Sequence, residues 1–201
     1  MIRVAALYVM PDGPYAGRPD VDLWDEARDA RGYAGPWPVV AHPPCQRWGR
    51  WWWKGPAGTR YERPGMDGGL FAAALAALDR WGGVLEHPAG SLAWPAHGLT
   101  PPTGEGWSRD LWGRWTCEVD QGHYGHRARK PTWLCYVGAS EPAPLTWGPS
   151  AHAETVGEIA ARGVKGRQSS CTVLSRRART LTPRAFAEVL ISLAAQSARP
   201  A

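Results

Sequence analysis

The chain has 201 residues, of which 44% are hydrophobic and 20% charged, with 24 glycines and 19 prolines. That length fits one domain, 1–201, and the balance excludes wholesale disorder while pointing to short elements joined by many ordered loops. The formal net charge of +5 is compatible with a polyanionic partner without establishing one.

No apolar run is long enough to cross a bilayer, and the opening MIRVAALYVM lacks the pattern of a secretory signal. Cys45, Cys117, Cys135 and Cys171 form no CxxC pair, so a disulfide framework is not expected and a reducing cytoplasm is the default.

Ile2 to Val9 reads as a first buried strand, followed by a Gly/Pro-rich turn from Pro11 to Arg18. Asp22 to Ala30 reads as a short helix with Asp22 as its N-cap. Pro38 to Ala41 is a second strand, ended by His42-Pro43-Pro44-Cys45. Gln46 to Gly65 is a loop, and Asp67 to Trp81 carries the clearest helical pattern, stopped by Gly82-Gly83. Val84-Leu85 begins a third strand ending at Glu86-His87-Pro88. Residues 89–114 read as irregular. Thr116 to Val119 and Thr132 to Val137 read as strands around a basic loop, Gly122 to Lys130. Residues 139–151 read as loop, Glu154 to Ala161 as a short helix, and Arg184 to Ala195 as a closing helix opened by Thr182-Pro183.

The segment from Pro38 to His87 is a strand–helix–strand unit, which makes its two strands parallel with a right-handed crossover. Ligands of such sheets sit beyond the carboxyl ends of the strands. Cys45 follows one such end and Glu86 lies at the other, so a thiol and a carboxylate are expected to face one crevice. The prolines before Cys45 restrict its backbone, and Arg47 and Arg50 are placed to lower its pKa. Glu86 can move a proton beside the target. On composition alone, a structural cysteine and a loop-capping glutamate account for the same residues.

Pro43-Pro44-Cys45-Gln46 resembles the catalytic proline–cysteine motif of DNA cytosine-C5 methyltransferases. Glu86-His87-Pro88 resembles their Glu-Asn-Val motif, and Asp29-Ala30-Arg31 their acidic motif closing the strand before. Tyr124 to Arg129, running into TWLCYVG, resembles the Gln-x-Arg-x-Arg segment. The resemblance implies an α/β, Rossmann-like, mostly parallel sheet with flanking helices, and an enzyme acting on DNA that is single-stranded or carries a flipped-out cytosine. It implies Cys45 as the nucleophile at cytosine C6, Glu86 on the N3 edge, and Arg127 and Arg129 steadying the base or the thiol loop. It implies S-adenosylmethionine as methyl donor, held near Tyr8, Asp12, Gly13, Asp29 and Pro43. Pro44, Gln46, Arg47, Trp48, His87, Tyr124 and His126 would meet the substrate. The size suggests a compact, phage-type member.

The sequence also departs from that pattern. Tyr8 to Gly17 replaces a Phe-x-Gly-x-Gly loop, residues 18–37 leave little length for further cofactor-side strands, and His126 or Gln121 stands for the motif glutamine. Only 139–179 remains for target recognition, too little for a large duplex-reading region. A pyrimidine nucleotide-modifying enzyme with another donor, or a non-catalytic nucleic-acid-binding module, would fit the same scaffold.

Four residue clusters admit plainer readings. The run Arg47-Trp48-Gly49-Arg50-Trp51-Trp52-Trp53-Lys54 suits phosphates and base faces, yet its tryptophans also suit a core. Cys117, His123 and His126 fit no common zinc spacing, and no metal is expected. Asp22, Asp25, Glu26 and Asp29 read as a solvated acidic face; Arg176, Arg177, Arg179 and Arg184 read equally as a phosphate track or a solvated surface.

Overall fold

The computed structural model describes residues 3–49, 65–151 and 174–198. The expected helix from Glu154 to Ala161, and Arg50 with the aromatic run after it, lie outside the described residues.

Seven strands form one sheet. They are β1 (Val4–Leu7), β2 (Val21–Trp24), β3 (Val39–Ala41), β4 (Gly83–Pro88), β5 (Ser108–Arg109), β6 (Trp115–Asp120) and β7 (Pro131–Val137). Their order is β2-β1-β3-β4-β7-β6-β5. β2, β1, β3 and β4 pair in parallel, while the β4–β7, β7–β6 and β6–β5 pairings are antiparallel. Five strands therefore point one way, with β5 and β7 against them. The architecture is α/β with a mixed sheet. Among the described residues, no helix is long and apolar enough to cross a membrane.

Helices cover both faces of the sheet. Alternate residues of each strand point to opposite sides, which divides the core in two. Ala5, Leu7, Val39, Ala41, Leu85 and Cys135 meet Phe71, Ala74, Leu75 and Leu78 of α1 (Leu70–Trp81). The four-residue α2 (Ala93–Ala96) adds Ala93 and Trp94 to that side. Val4, Ala6, Val40, Val84, Leu134 and Tyr136 meet Phe186, Leu190 and Leu193 of α4 (Arg184–Gln196). Each fully buried Phe or Leu among them contributes roughly 1.5–3 kcal/mol. A short α3 (Arg176–Thr180) precedes α4.

The expected helix from Asp22 to Ala30 is not formed. Its first residues are β2, which pairs with β1 in the register Val4↔Val21 to Leu7↔Trp24. Asp22 caps no helix, because its carboxylate accepts from Trp24 Nε1 at 2.9 Å and Arg28 Nη1 at 2.8 Å. Sheet pairing supplied what local propensity did not. The segment judged too short for cofactor-side strands thus holds one. Residues 89–114, read as irregular, contain α2 and β5, and the basic loop opens on a single 3-10 turn, Gln121–Tyr124.

The α1–β4 junction is tight. Gly83 has φ 119°, and a Cβ there would overlap the backbone of Val39 on the neighbouring strand. Gly83→Ala is expected to destabilise the fold by about 3 kcal/mol or more, read as a lowered urea midpoint with unchanged slope.

Candidate active site

β3 and β4 end side by side, with Ala41 paired to Leu85. One residue further, His42 and Glu86 extend from the same side of the sheet, the side that α4 covers. His42 Nδ1 lies 2.9 Å from Glu86 Oε2, and its Nε2 lies 2.7 Å from the Tyr15 hydroxyl. From the 3-10 turn just after β6, Gln121 Nε2 donates to Glu86 Oε1 at 3.1 Å and to Thr132 Oγ1 at 2.9 Å. A buried carboxylate therefore receives a donor on each oxygen.

These partners decide its charge. Burial raises the Glu86 pKa, but the hydrogen bond and charge of His42, with Lys130 and His87 behind them, outweigh it and hold Glu86 below the usual carboxylate range. Tyr15, 2% exposed, is pushed well above the ordinary phenol value by burial and then by the Glu86 charge. The resting site thus contains a carboxylate and a neutral phenol. Each ring nitrogen of His42 thus has a partner, Glu86 at Nδ1 and the Tyr15 hydroxyl at Nε2.

Cys45 lies within electrostatic reach of Glu86 and of Lys130. Its state differs from expectation. Although part of Cys45 meets solvent, burial raises its thiol pKa first and Glu86 raises it further, with Lys130 opposing.

The loop after Cys45 is anchored. Trp48 N donates to Cys45 O at 3.0 Å, and Leu92 N donates to Trp48 O at 2.9 Å. The Trp48 ring is 5% exposed, packs on Phe71, and donates from Nε1 to Asp67 Oδ2 at 2.7 Å. Asp67 also receives the backbone N–H groups of Gly69 and Phe71, tying this anchor to the start of α1. Trp48, expected to meet the substrate, instead pins the thiol loop to the core. Gln46 is exposed and Arg47 half-buried on that loop, while Pro43 is buried and Pro44 half-buried before it.

His87 is also corrected. Residues alternate along β4, so the neighbour of Glu86 points to the α1 side. His87 is 1% exposed, edge-on to Phe71 and stacked near Trp94. Burial pulls its pKa down to about 4, against Glu86 and the Pro44 carbonyl, which raise it. It is a neutral core residue beneath the Pro43-Pro44 turn.

The same parity corrects the basic segment. His126 and Ala128 are buried, and His126 Nδ1 is 2.7 Å from Ala128 O. Arg127 is exposed. Arg129 sends Nε to Asp120 Oδ2 at 3.3 Å and lines a cleft of about 280 Å³ with Glu105, Glu118 and Gly148. Lys130 is among the charges acting on both Glu86 and Cys45. Burial lowers the Lys130 pKa while Glu86 and Cys45 raise it, and its Nζ donates to Leu181 O at 3.0 Å. Tyr124 packs on Phe186 and accepts from Thr146 N at 2.9 Å. Asp120, missed in the sequence, ties this loop down: it accepts from Gly122 N, Lys130 N and Ser150 N. His123 meets Gly148 O at 3.0 Å and Cys117 is sealed in the sheet core. Among the described residues no group of three His, Cys, Asp or Glu is arranged to hold a metal.

The residues assigned to a cofactor do not offer free polar atoms in common. Asp29 does not close a strand; it caps a 3-10 turn, and Arg31 occupies both its oxygens at 2.8 and 2.6 Å. Asp12 is exposed, and Gly13 closes a turn onto Met10 O. Tyr8, at the end of β1, has φ 60° and a buried hydroxyl raised to about 12, chiefly by burial and then by Asp29.

Two measurements follow. Glu86→Gln removes a negative charge beside the thiol, so Cys45 alkylation by iodoacetamide at pH 8 is expected to quicken about three- to tenfold; a slower reaction would contradict this electrostatic arrangement. Because the folded His87 pKa lies below its unfolded value, the unfolded chain binds more protons between the two. Stability is full above about pH 6.5 and falls as pH drops toward 4, with about 2 kcal/mol lost by pH 5 from this residue. Urea unfolding at pH 7 and pH 5 checks it, and His87→Leu is expected to lose that share of the pH dependence. No family model, curated protein or solved structure matches the chain.

Proposed function

We propose that this protein modifies C5 of a pyrimidine in DNA by covalent catalysis, in the manner of the cytosine-C5 methyltransferases its motifs resemble. The observation supporting the reading is that Glu86 and the segment leading to Cys45 stand at the carboxyl ends of two adjacent parallel strands, with the Glu86 charge acting on the Cys45 thiol. A strand order with a parallel half and an antiparallel continuation supports a Rossmann-like, methyltransferase-type sheet. A DNA partner is supported by the net charge of +5.

In this reaction the Cys45 thiol releases its proton to solvent as its sulphur bonds to C6 of cytosine, and the C5=C6 electron pair moves toward C5. As the ring accepts charge, N3 takes a proton that Glu86 first collects from solvent. C5 then takes an electrophile and loses its hydrogen to solvent as a proton, and the sulphur–C6 bond breaks to restore the ring, with the N3 proton returned. The resting thiol is held protonated in part by Glu86. A base seated over Glu86, or protonation of that carboxylate, removes the influence, which couples formation of the nucleophile to occupancy of the site.

S-adenosylmethionine is the donor implied by the resemblance, and the residues assigned to it do not fit: Asp29 is committed to Arg31 and Asp12 stands apart in solvent. No step is derived through it. This misfit favours a second reading on the same chemistry, in which a pyrimidine receives its C5 group from another donor.

Mass analysis of nucleosides from DNA of cells expressing the chain tests the proposal. A cytosine bearing a C5 substituent is expected, and Cys45→Ser should reduce it by about a thousandfold or more. Full modification by Cys45→Ser would eliminate covalent catalysis at this residue.

A further inference from the structure

The segment 174–187 holds four arginines, Arg176, Arg177, Arg179 and Arg184, and no Asp or Glu. By sequence they are equally a phosphate track or a solvated surface. Their place in the fold separates the two.

α4 runs from the carboxyl edge of the parallel strands back to the amino edge. Near its start, Phe186 packs on Tyr124 of the 3-10 turn that follows β6, with ring centroids 5.3 Å apart. Just past its end, Ser197 stands where a Cβ at Gly82 would touch it, next to the start of β4. α3 and Arg184 therefore lie at the carboxyl edge, which also carries Glu86. A run of hydrogen bonds joins them to that carboxylate. Gln121 Nε2 donates to Glu86 Oε1 and to Thr132 Oγ1, and Thr132 Oγ1 donates to Lys130 O at 3.0 Å. Lys130 Nζ donates in turn to Leu181 O at 3.0 Å and to Thr180 O at 3.5 Å. Lys130 thus holds the end of α3, while Ser175 Oγ accepts from Ala178 N at its start. The five-residue helix is fixed at both ends beside the site.

We propose that α3 and the start of α4 form a phosphate-binding strip, on which Arg177, Arg179 and Arg184 hold the backbone of a single DNA strand whose base is seated at Glu86. The proposal rests on the DNA reading above and adds where the polymer lies.

The charges of the strip fit a polyanion. Arg177 is exposed, and the Arg184 side chain is 79% exposed. The acids around them have partners within the chain. Glu188 lies 3.6 Å from Arg18 and 3.9 Å from Arg184, so one carboxylate is shared between two guanidiniums. Asp120 accepts from three backbone N–H groups and from Arg129, and Glu86 accepts from Gln121. Arg184 also stands in the first turn of α4, which has no acidic residue. A cation there opposes the helix dipole, a cost that a bound anion removes. A base seated at Glu86 brings its own phosphates to this edge and not to the far one. A free nucleotide has only one phosphate-bearing position to offer a strip that extends from α3 into α4, so the strip fits a polymer.

The test compares equal losses of charge at the two edges. Binding of the full chain to a fluorescein-labelled single-stranded oligodeoxynucleotide of about 20 residues is read by anisotropy over a series of salt concentrations. The triple variant Arg177→Gln, Arg179→Gln, Arg184→Gln is expected to bind about tenfold or more weakly, with the slope of log affinity against log salt shallower by about 2. The triple variant Arg177→Lys, Arg179→Lys, Arg184→Lys keeps the charges and should stay within about threefold of wild type with its slope unchanged. Arg3, Arg80 and Arg109 lie at the amino edge, before β1, in the last turn of α1 and opposite the start of β6. Changing those three to Gln removes the same net charge and should leave affinity within about threefold and the slope unchanged. Equal weakening by both glutamine triples, or wild-type binding by the first, would overturn the proposal. No oligonucleotide binding by the wild type at about 50 mM salt, whether or not it binds anionic lipid vesicles, would instead overturn the DNA reading beneath it.

Discussion

A buried carboxylate held ionised at the junction of two parallel strands organises this protein. Glu86 is 8% exposed, and a charge in that position is tolerable only with donors on both oxygens. His42 and Gln121 supply them. They come from different strands, so the charge is satisfied only when β3, β4 and β6 are all in place. The same charge raises the neighbouring thiol and phenol. One electrostatic fact thereby sets the protonation of the whole cluster.

Much of the remaining structure holds that cluster in position. Asp67 takes the Trp48 indole and two backbone N–H groups, which joins the thiol loop to the start of α1. Asp120 gathers the N–H groups of Gly122, Lys130 and Ser150, with burial raising its pKa and those donors bringing it below the usual range. His87 fills the space under the Pro43-Pro44 turn among Phe71 and Trp94. Buried polar groups with several backbone partners fix loops more sharply than apolar contact alone. Here they stand at both loops that border Glu86.

Parity along extended segments explains the main differences between expectation and structure. Motif reading assigned Glu86 and His87 to one site, but consecutive residues of a strand face opposite sides. In the segment from His126 to Lys130, the same alternation buries His126 and Ala128, and Lys130 bears on Glu86. His42 could have been found by that rule: it lies an even step from Val40, whose side chain faces α4, as Glu86 lies from Val84. Gln121 entered the reading as a candidate for the motif glutamine, whereas Tyr15 carried no comparable signal, since its approach depends on how the loop after β1 folds back across the strand ends.

The sequence by itself determined the crossover unit from Pro38 to His87, because apolar strands, an Ala/Leu helix and its glycine stop are local patterns with one economical arrangement. It also determined that Glu86 and the segment leading to Cys45 lie at the same edge of the sheet, since parallel strands joined by that crossover end there. The tertiary structure alone decided that Asp22 begins no helix, that Trp48 is an anchor and that Glu86 is ionised. Pairing register, burial and charge proximity are properties of segments far apart in the chain, and no local window contains them.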